Sequence, residues 1–167
     1  MAEPPVTTQA TSLGTVRQIA VPSHVRALST LARIDYADTF IVDVGRASER
    51  TAEQWARAVV EDAPARVRLA LQSGWSALGL KLGEAPPDRS LLGWEIRRST
   101  PELVLLGADS RVGMPGELLF KRRKRTLLYA TFLQQDNPIA RAMWAGVEPA
   151  HGPIVRRILE RAARRQS

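Results

Sequence analysis

The chain contains no cysteine, and this absence excludes several kinds of chemistry at once. Disulfide bonds, thiolate nucleophiles and cysteine-based zinc sites all need the missing side chain. Histidine is nearly as scarce, since only His24 and His151 occur in 167 residues. The sequence also lacks a GxGxxG fingerprint and a phosphate-binding loop. We therefore expect no cofactor.

Long apolar runs are missing as well. No stretch of about 18 apolar residues occurs, which argues against a transmembrane helix. The first 15 residues have neither a basic start nor an apolar core, which argues against a secretory signal, so we expect a cytoplasmic protein. Residues 1–15 show no hydrophobic period and are predicted to be a disordered tail. Residues 16–167 are predicted to form a single domain, because a chain with 44% apolar residues can bury one core.

Acidic residues are outnumbered, and the formal net charge is +7. The basic residues concentrate in KRRKR, residues 121–125, and in RRILERAARR, residues 156–165. Such runs suit an anionic partner. Neither carries the interleaved aromatic residues that stack on single-stranded bases, so nucleic acid is not the partner we expect. A partner-binding module that uses the basic carboxy-terminal face stays an alternative.

Hydrophobic periodicity predicts the first half of the fold. Alternating residues over 39–44 predict a strand with one strongly apolar face. The segment TAEQWARAVV, residues 51–60, begins with the capping-box pair Thr51 and Gln54 and predicts a short helix. A second helix is predicted to start at Pro64 and to end at Gly83.

The second half of the chain predicts strands followed by a helix. A period of two over residues 90–135, with short connections, predicts an antiparallel meander in which KRRKR forms a hairpin tip. Asn137 and Pro138 are typical of a helix start. Pro149 and Pro153 predict a kink or a short break in that last helix. Its predicted apolar face consists of Ile139, Met143, Val147, Ala150, Ile154 and Ile158.

Three aspartates surround the first predicted strand in the segment RIDYADTFIVDV. Asp35 and Asp38 are predicted to lie in the turn before the strand, where short carboxylates accept hydrogen bonds from nearby backbone amides. A metal site would need further ligands, and His24 offers no partner at a suitable spacing. We interpret the aspartates as structural and expect no metal.

Three segments and the order of elements carry a family resemblance. DYADTFIVDV, TAEQWARAVV and NPIARAMWAGVEPAHGPIVRRILERA resemble a bacterial family of uncharacterised domains within the START and polyketide-cyclase (SRPBCC) superfamily. The resemblance extends over roughly residues 21–163. It implies an α+β helix-grip fold, in which a curved antiparallel sheet wraps a long, here kinked, carboxy-terminal helix and encloses a cavity. Two short helices would follow the first strand.

The candidate ligand-binding residues are large side chains that such a cavity would expose, although the same side chains serve equally as core. We expect a small hydrophobic ligand, such as a lipid or a polyketide-like compound, and predict no catalytic residue. The alternative is a cyclase- or hydrolase-type enzyme that uses Tyr129 or His151 on a carbonyl substrate. A homodimer is also considered, because the strand TLLYATFL is apolar on both faces. The candidates are Trp94, Met114, Phe120, Tyr129, Met143 and Trp144.

Overall fold

The computed structural model describes residues 13–45 and 49–165. These residues form strands and α-helices in the following order: β1 (Val16–Ile19), α1 (Ser23–Arg26), β2 (Tyr36–Asp43), α2 (Ala52–Val60), α3 (Ala65–Ala77), β3 (Ser90–Leu91), β4 (Trp94–Thr100), β5 (Leu103–Ala108), β6 (Gly116–Arg122), β7 (Thr126–Leu133) and α4 (Pro138–Arg164).

All seven strands belong to one antiparallel sheet with the order β1-β2-β7-β6-β5-β4-β3. Strands β4 to β7 are neighbours both in sequence and in space, which confirms the predicted meander. The sheet is curved, the long helix α4 follows it, and α2 and α3 come after the strand that the sequence predicted as the first. The α+β architecture is thereby confirmed. Strand β1 was not predicted, because only one of its four residues is buried.

One face of the sheet, here called the inner face, packs against α2 and α4. The capping box of α2 is present, with the Gln54 N–H donating to Thr51 Oγ1 at 3.2 Å. This cap starts a helix that buries Trp55, Val59 and Val60. Burial of each such side chain stabilises the fold by about 1.5–3 kcal/mol. The sheet side of this core includes Phe40, Val42, Leu106, Phe120 and Leu127.

The opposite, outer face is covered by the chain itself. Residues 19–34, which include α1, place Val25, Leu28 and Leu31 against the outer side chains of the sheet. Glu117, fully buried on this face, accepts hydrogen bonds from Ser29 and Thr30 and holds the segment in place. The apolar outer face that suggested a homodimer is therefore covered within one chain.

Helix α4 runs from Pro138 to Arg164 without interruption, so the predicted break is wrong. Each internal proline removes the backbone donor that would bond to the carbonyl four residues earlier. Pro149 and Pro153 thus free the carbonyls of Ala145 and of Pro149, and both residues are exposed. Water can hydrate carbonyl groups at such positions.

The buried face of α4 lies one position away from the predicted one. Ile139, Val147 and Ile154 are 67%, 36% and 44% exposed. Consecutive residues of an α-helix are rotated by about 100°, so a shift of one position turns the core face markedly. His151 lies on the core face, seven residues after Trp144 and four before Val155. The buried residues are Ala140, Trp144, Val155, Leu159, Ala162 and Ala163.

Helix α3 differs from α2 in that none of its 13 residues is buried. It ends at Ala77, where Leu78 and Gly79 leave the helical conformation, and Gly79 has a φ of 79° that favours glycine. The predicted end at Gly83 is therefore too late. An amphipathic helix without a buried residue lies over something other than a filled core.

Most of the predicted tail, residues 1–12, lies outside the described residues. Gly14 and Thr15 extend the pairing of β1 with β2. The Gly14 N–H donates to the Asp43 carbonyl at 2.9 Å, and the Asp43 N–H donates to the Thr15 carbonyl at 3.3 Å. Within the described ranges, no helix combines the length and the apolar character needed to span a bilayer.

Candidate functional site

A cavity of about 370 Å³ lies between α3, α4 and the inner face of the sheet. Its size falls within the range of small-molecule sites, about 300–1,000 Å³. Trp75 and Leu78 contribute from α3, Leu118 and Leu133 from the sheet, and Val147 from α4. The lining is therefore predominantly apolar and draws on all three layers of the fold.

The structure brings four of the six candidate residues together at this cavity. Trp94, Tyr129, Met143 and Trp144 line it. Met114 is fully buried beside the cavity, in a cluster with Leu133, Ala140 and Trp144. The ring of Phe120 is fully buried with its centroid 5.2 Å from that of Tyr129. These two residues support the wall and do not line it.

The polar part of the cavity is organised by a contact between Asp38 and His151. The Nε2 atom of His151 lies 2.9 Å from Asp38 Oδ2, and the two side chains are 16% and 2% exposed. The prediction that Asp38 lies in a turn is wrong, because β2 begins at Tyr36. The alternation of a strand then puts Tyr36, Asp38 and Phe40 on the inner face. Asp35 has the predicted role, since it accepts the Gln135 N–H at 2.7 Å.

Two further donors reach the carboxylate of Asp38. The Tyr36 hydroxyl donates to Oδ2 at 2.7 Å, and the Thr131 N–H donates to Oδ1 at 3.3 Å. A buried charge is tolerated when hydrogen bonds replace its lost hydration, and here three donors do so. The term polar cluster is used below for Tyr36, Asp38, Tyr129, Thr131 and His151.

Tyr129 is the member of the polar cluster whose hydroxyl lies in the cavity lining. The Thr131 hydroxyl donates to Tyr129 Oη at 2.8 Å, and Thr131 Oγ1 lies 3.3 Å from His151 Nε2. Burial, reinforced by the charge of Asp38, raises the pKa of Tyr129 well above its usual value. Burial and the bond to Asp38 raise the pKa of Tyr36 in the same direction. Both phenols therefore stay protonated at neutral pH.

Two tryptophans in the lining carry buried indole N–H groups. Within the described part of the chain, Nε1 of Trp94 and of Trp144 has no hydrogen-bond partner. The edge of one ring meets the face of another at each position, because Trp75 and Trp94 lie 5.4 Å apart and Tyr36 and Trp144 lie 4.8 Å apart. The same lack of a partner holds for Trp55, which does not line the cavity.

A second space lies on the other side of α3. This groove of about 570 Å³ is lined by Val67, Ile158 and Arg161 among others, and it shares Leu71 and Ile154 with the cavity. Both spaces therefore border α3, which explains why this helix buries no residue.

The chemistry available at the site is that of a paired acid and base. No three His, Asp or Glu side chains among the described residues converge as metal ligands. The Asp38–His151 pair can orient an imidazole, and Tyr129 can donate a hydrogen bond beside it. The sequence interpretation missed Asp38, Tyr36 and Thr131. Extending the alternation of β2 and β7 by a few residues would have placed all three on the inner face.

Comparison with known proteins adds little to this geometry. Neither a family profile nor a curated protein matches the chain. Among solved structures, the chain is similar to a crystal structure from Pseudomonas aeruginosa described as protein of unknown function PA94. The identity is 19%, over 93% of this chain and 87% of that one, and the TM-score is 0.23. Such a likeness carries no argument about function.

Proposed function

We propose that the protein binds a small hydrophobic molecule, such as a lipid or a polyketide-like compound, between the sheet, α3 and α4. The observation that carries this proposal is the cavity of about 370 Å³ with its predominantly apolar lining. Protein interiors are close-packed and contain few voids larger than a water molecule. The sequence resemblance to the START and polyketide-cyclase superfamily supports the same function.

Helix α3 provides a second argument. Its residues Leu71 and Trp75 line the cavity, yet neither is fully buried. A hydrophobic molecule in the cavity would contact both side chains and remove their apolar surface from water, at about 25 cal/mol per Å². Ligand binding would therefore complete the packing of α3.

The test is native mass spectrometry of the freshly purified protein, followed by denaturation and analysis of released small molecules. We expect a mass excess that disappears on unfolding. A matched pair of variants sharpens the test, because Gly74 in α3 lines the cavity while Gly146 in α4 does not. A Cβ added at either glycine meets no atom within 4 Å, so both accept a side chain.

Gly74→Leu should reduce the occupancy of the cavity, whereas Gly146→Leu should leave it unchanged. Both changes replace glycine within a helix and favour helix formation, so neither should impair folding. If the mass excess is absent, and externally added decanoate, decylamine and octyl methyl ketone also fail to bind, the cavity is not a ligand site.

The Asp38–His151 contact favours a second function, acid–base catalysis on a carbonyl substrate. Held by Asp38, the imidazole of His151 would take a proton from the carbon next to the carbonyl and return it later. Tyr129 would donate a hydrogen bond to the carbonyl oxygen as negative charge develops there. Deuterium exchange at the α-carbons of octyl methyl ketone, followed by NMR, tests this function. Exchange that survives both His151→Gln and Tyr129→Phe would exclude it.

A further inference from the structure

We propose that the cavity selects an apolar molecule carrying a neutral hydrogen-bond acceptor, namely a ketone, aldehyde or ester carbonyl, which lies against the polar cluster. This inference rests on the proposed function, because it specifies the ligand of the same cavity. It follows from the balance of donors, acceptors and charges in the lining.

The polar groups available to a ligand are donors. The oxygen of Tyr129 already accepts the Thr131 hydroxyl at 2.8 Å, so the phenolic proton is left to donate. The indole N–H groups of Trp94 and Trp144 are buried without a partner among the described residues, and both residues line the cavity. A buried donor that lacks an acceptor costs about 1–3 kcal/mol. A ligand that supplies an acceptor removes part of this cost.

The acceptor of the polar cluster is already engaged. Asp38 Oδ1 accepts the Thr131 N–H, and Oδ2 accepts both the Tyr36 hydroxyl and His151 Nε2. An alcohol or an amine in the cavity would have to displace one of these donors before it could bond to the carboxylate. The lining therefore favours a ligand acceptor over a ligand donor.

Charge argues in the same direction. No arginine or lysine occurs among the described residues that line the cavity. A ligand carboxylate would lose its hydration close to Asp38 without a basic partner, and an ammonium group would lose its hydration against an apolar wall. A neutral carbonyl pays neither penalty and still meets the donors.

The direct test compares octyl methyl ketone, decanoate and decylamine, which have the same number of carbon atoms. Binding to the full chain at neutral pH is measured by titration calorimetry. We expect the ketone to bind at least about tenfold more tightly than either charged compound, which corresponds to about 1.4 kcal/mol. Equal or tighter binding of decanoate or decylamine overturns this inference and leaves the proposed function intact. Failure of all three to bind overturns the proposed function itself.

A pair of tyrosine variants tests the role of the hydroxyl. Tyr129→Phe should weaken ketone binding by about three- to tenfold, the value of one net hydrogen bond. Tyr36→Phe is the matched control, because it also removes a phenolic hydroxyl but from a residue outside the cavity lining. Its ketone affinity should stay within about twofold of the unmodified protein. Equal losses in the two variants contradict the inference.

A measurement on the unmodified protein does not depend on the folding of any variant. The carbonyl stretching frequency of isotopically labelled octyl methyl ketone is recorded by infrared difference spectroscopy in hexane and in the complex. Donation from Tyr129 or an indole N–H lowers this frequency, and we expect a clear shift on binding. A bound ketone with the frequency seen in hexane has no donor at its oxygen, and that result overturns the inference.

Discussion

The imidazole of His151 lies 2.9 Å from the carboxylate of Asp38 and thereby joins the middle of α4 to the inner face of β2. Asp38 also accepts hydrogen bonds from Tyr36 on its own strand and from the backbone of Thr131 on β7. One buried carboxylate thus connects two strands and the last helix. The group that orients the candidate base is also a structural contact of the fold.

Asp38→Asn should therefore destabilise the protein. The amide nitrogen of asparagine cannot accept a hydrogen bond, so at least one of the three donors loses its partner. We expect the free energy of unfolding to fall by about 1–3 kcal/mol, measured by urea denaturation at neutral pH. Asp35→Asn is the matched control, because Asp35 is exposed and pairs with Arg33 at the entrance of β2. Equal losses in the two variants would show that the burial of Asp38 has no energetic consequence.

The tyrosines provide a prediction about alkaline pH. The chain has two tyrosines, and the pKa of each is raised from the ordinary 10.0 by burial. Between pH 10 and the raised values, the folded state keeps phenolic protons that the unfolded state releases. Stability contributed by this effect is complete below pH 10 and declines as the pH rises further.

The phenolate absorbance checks this prediction. In the folded protein it should stay low near pH 10 and should rise together with the loss of circular dichroism at higher pH. The urea-unfolded protein should titrate near the ordinary pKa and serves as the control. A phenolate signal that develops near pH 10 with unchanged circular dichroism would mean that the hydroxyls of Tyr36 and Tyr129 are accessible.

Glu117 is predicted to contribute to stability without contributing to binding. Its carboxylate is fully buried on the outer face, accepts the Thr30 N–H at 3.1 Å and lies 3.5 Å from Arg97 Nη1. Glu117→Gln should lower the free energy of unfolding by about 1–3 kcal/mol, because the amide cannot satisfy all of these donors. Glu95→Gln, at an exposed position of β4, should have no measurable effect. Ketone affinity that falls in Glu117→Gln would contradict the separation of the two faces.

Local sequence signals predicted the elements well where their causes are local. The capping box at Thr51 and Gln54 and the helix start at Asn137 both form as predicted, since all partners lie within three residues. The role of Glu117 could not be predicted in this way, because its partner Ser29 lies 88 residues away in sequence. Only the folded sheet brings these side chains together.

The candidate site was predicted in part for a physical reason. Ile154 and Val147 are as apolar as core residues, and the periodicity of α4 cannot distinguish a side chain that faces a cavity from one that faces packed atoms. His151 and Asp38 were misplaced because polar residues are usually exposed. The composition of DYAD, typical of a turn, concealed a strand that begins at Tyr36.

The behaviour of α3 provides the last prediction. Six of the nine residues of α2 are buried, whereas α3 buries none of its 13 and borders the cavity and the groove. Opening of α3 therefore exposes little additional apolar surface. Segments with few buried contacts open at low free energy, and their amide hydrogens exchange readily.

Hydrogen exchange followed by mass spectrometry should show faster exchange in α3 than in α2. Octyl methyl ketone should slow exchange in α3, because a ligand that contacts Leu71 and Trp75 stabilises the closed position of the helix. Exchange in α2 should change little, and Gly74→Leu should show slow exchange in α3 without any ligand. If α3 is as protected as α2 before ligand is added, the helix is packed independently of the cavity, and closure on binding is excluded.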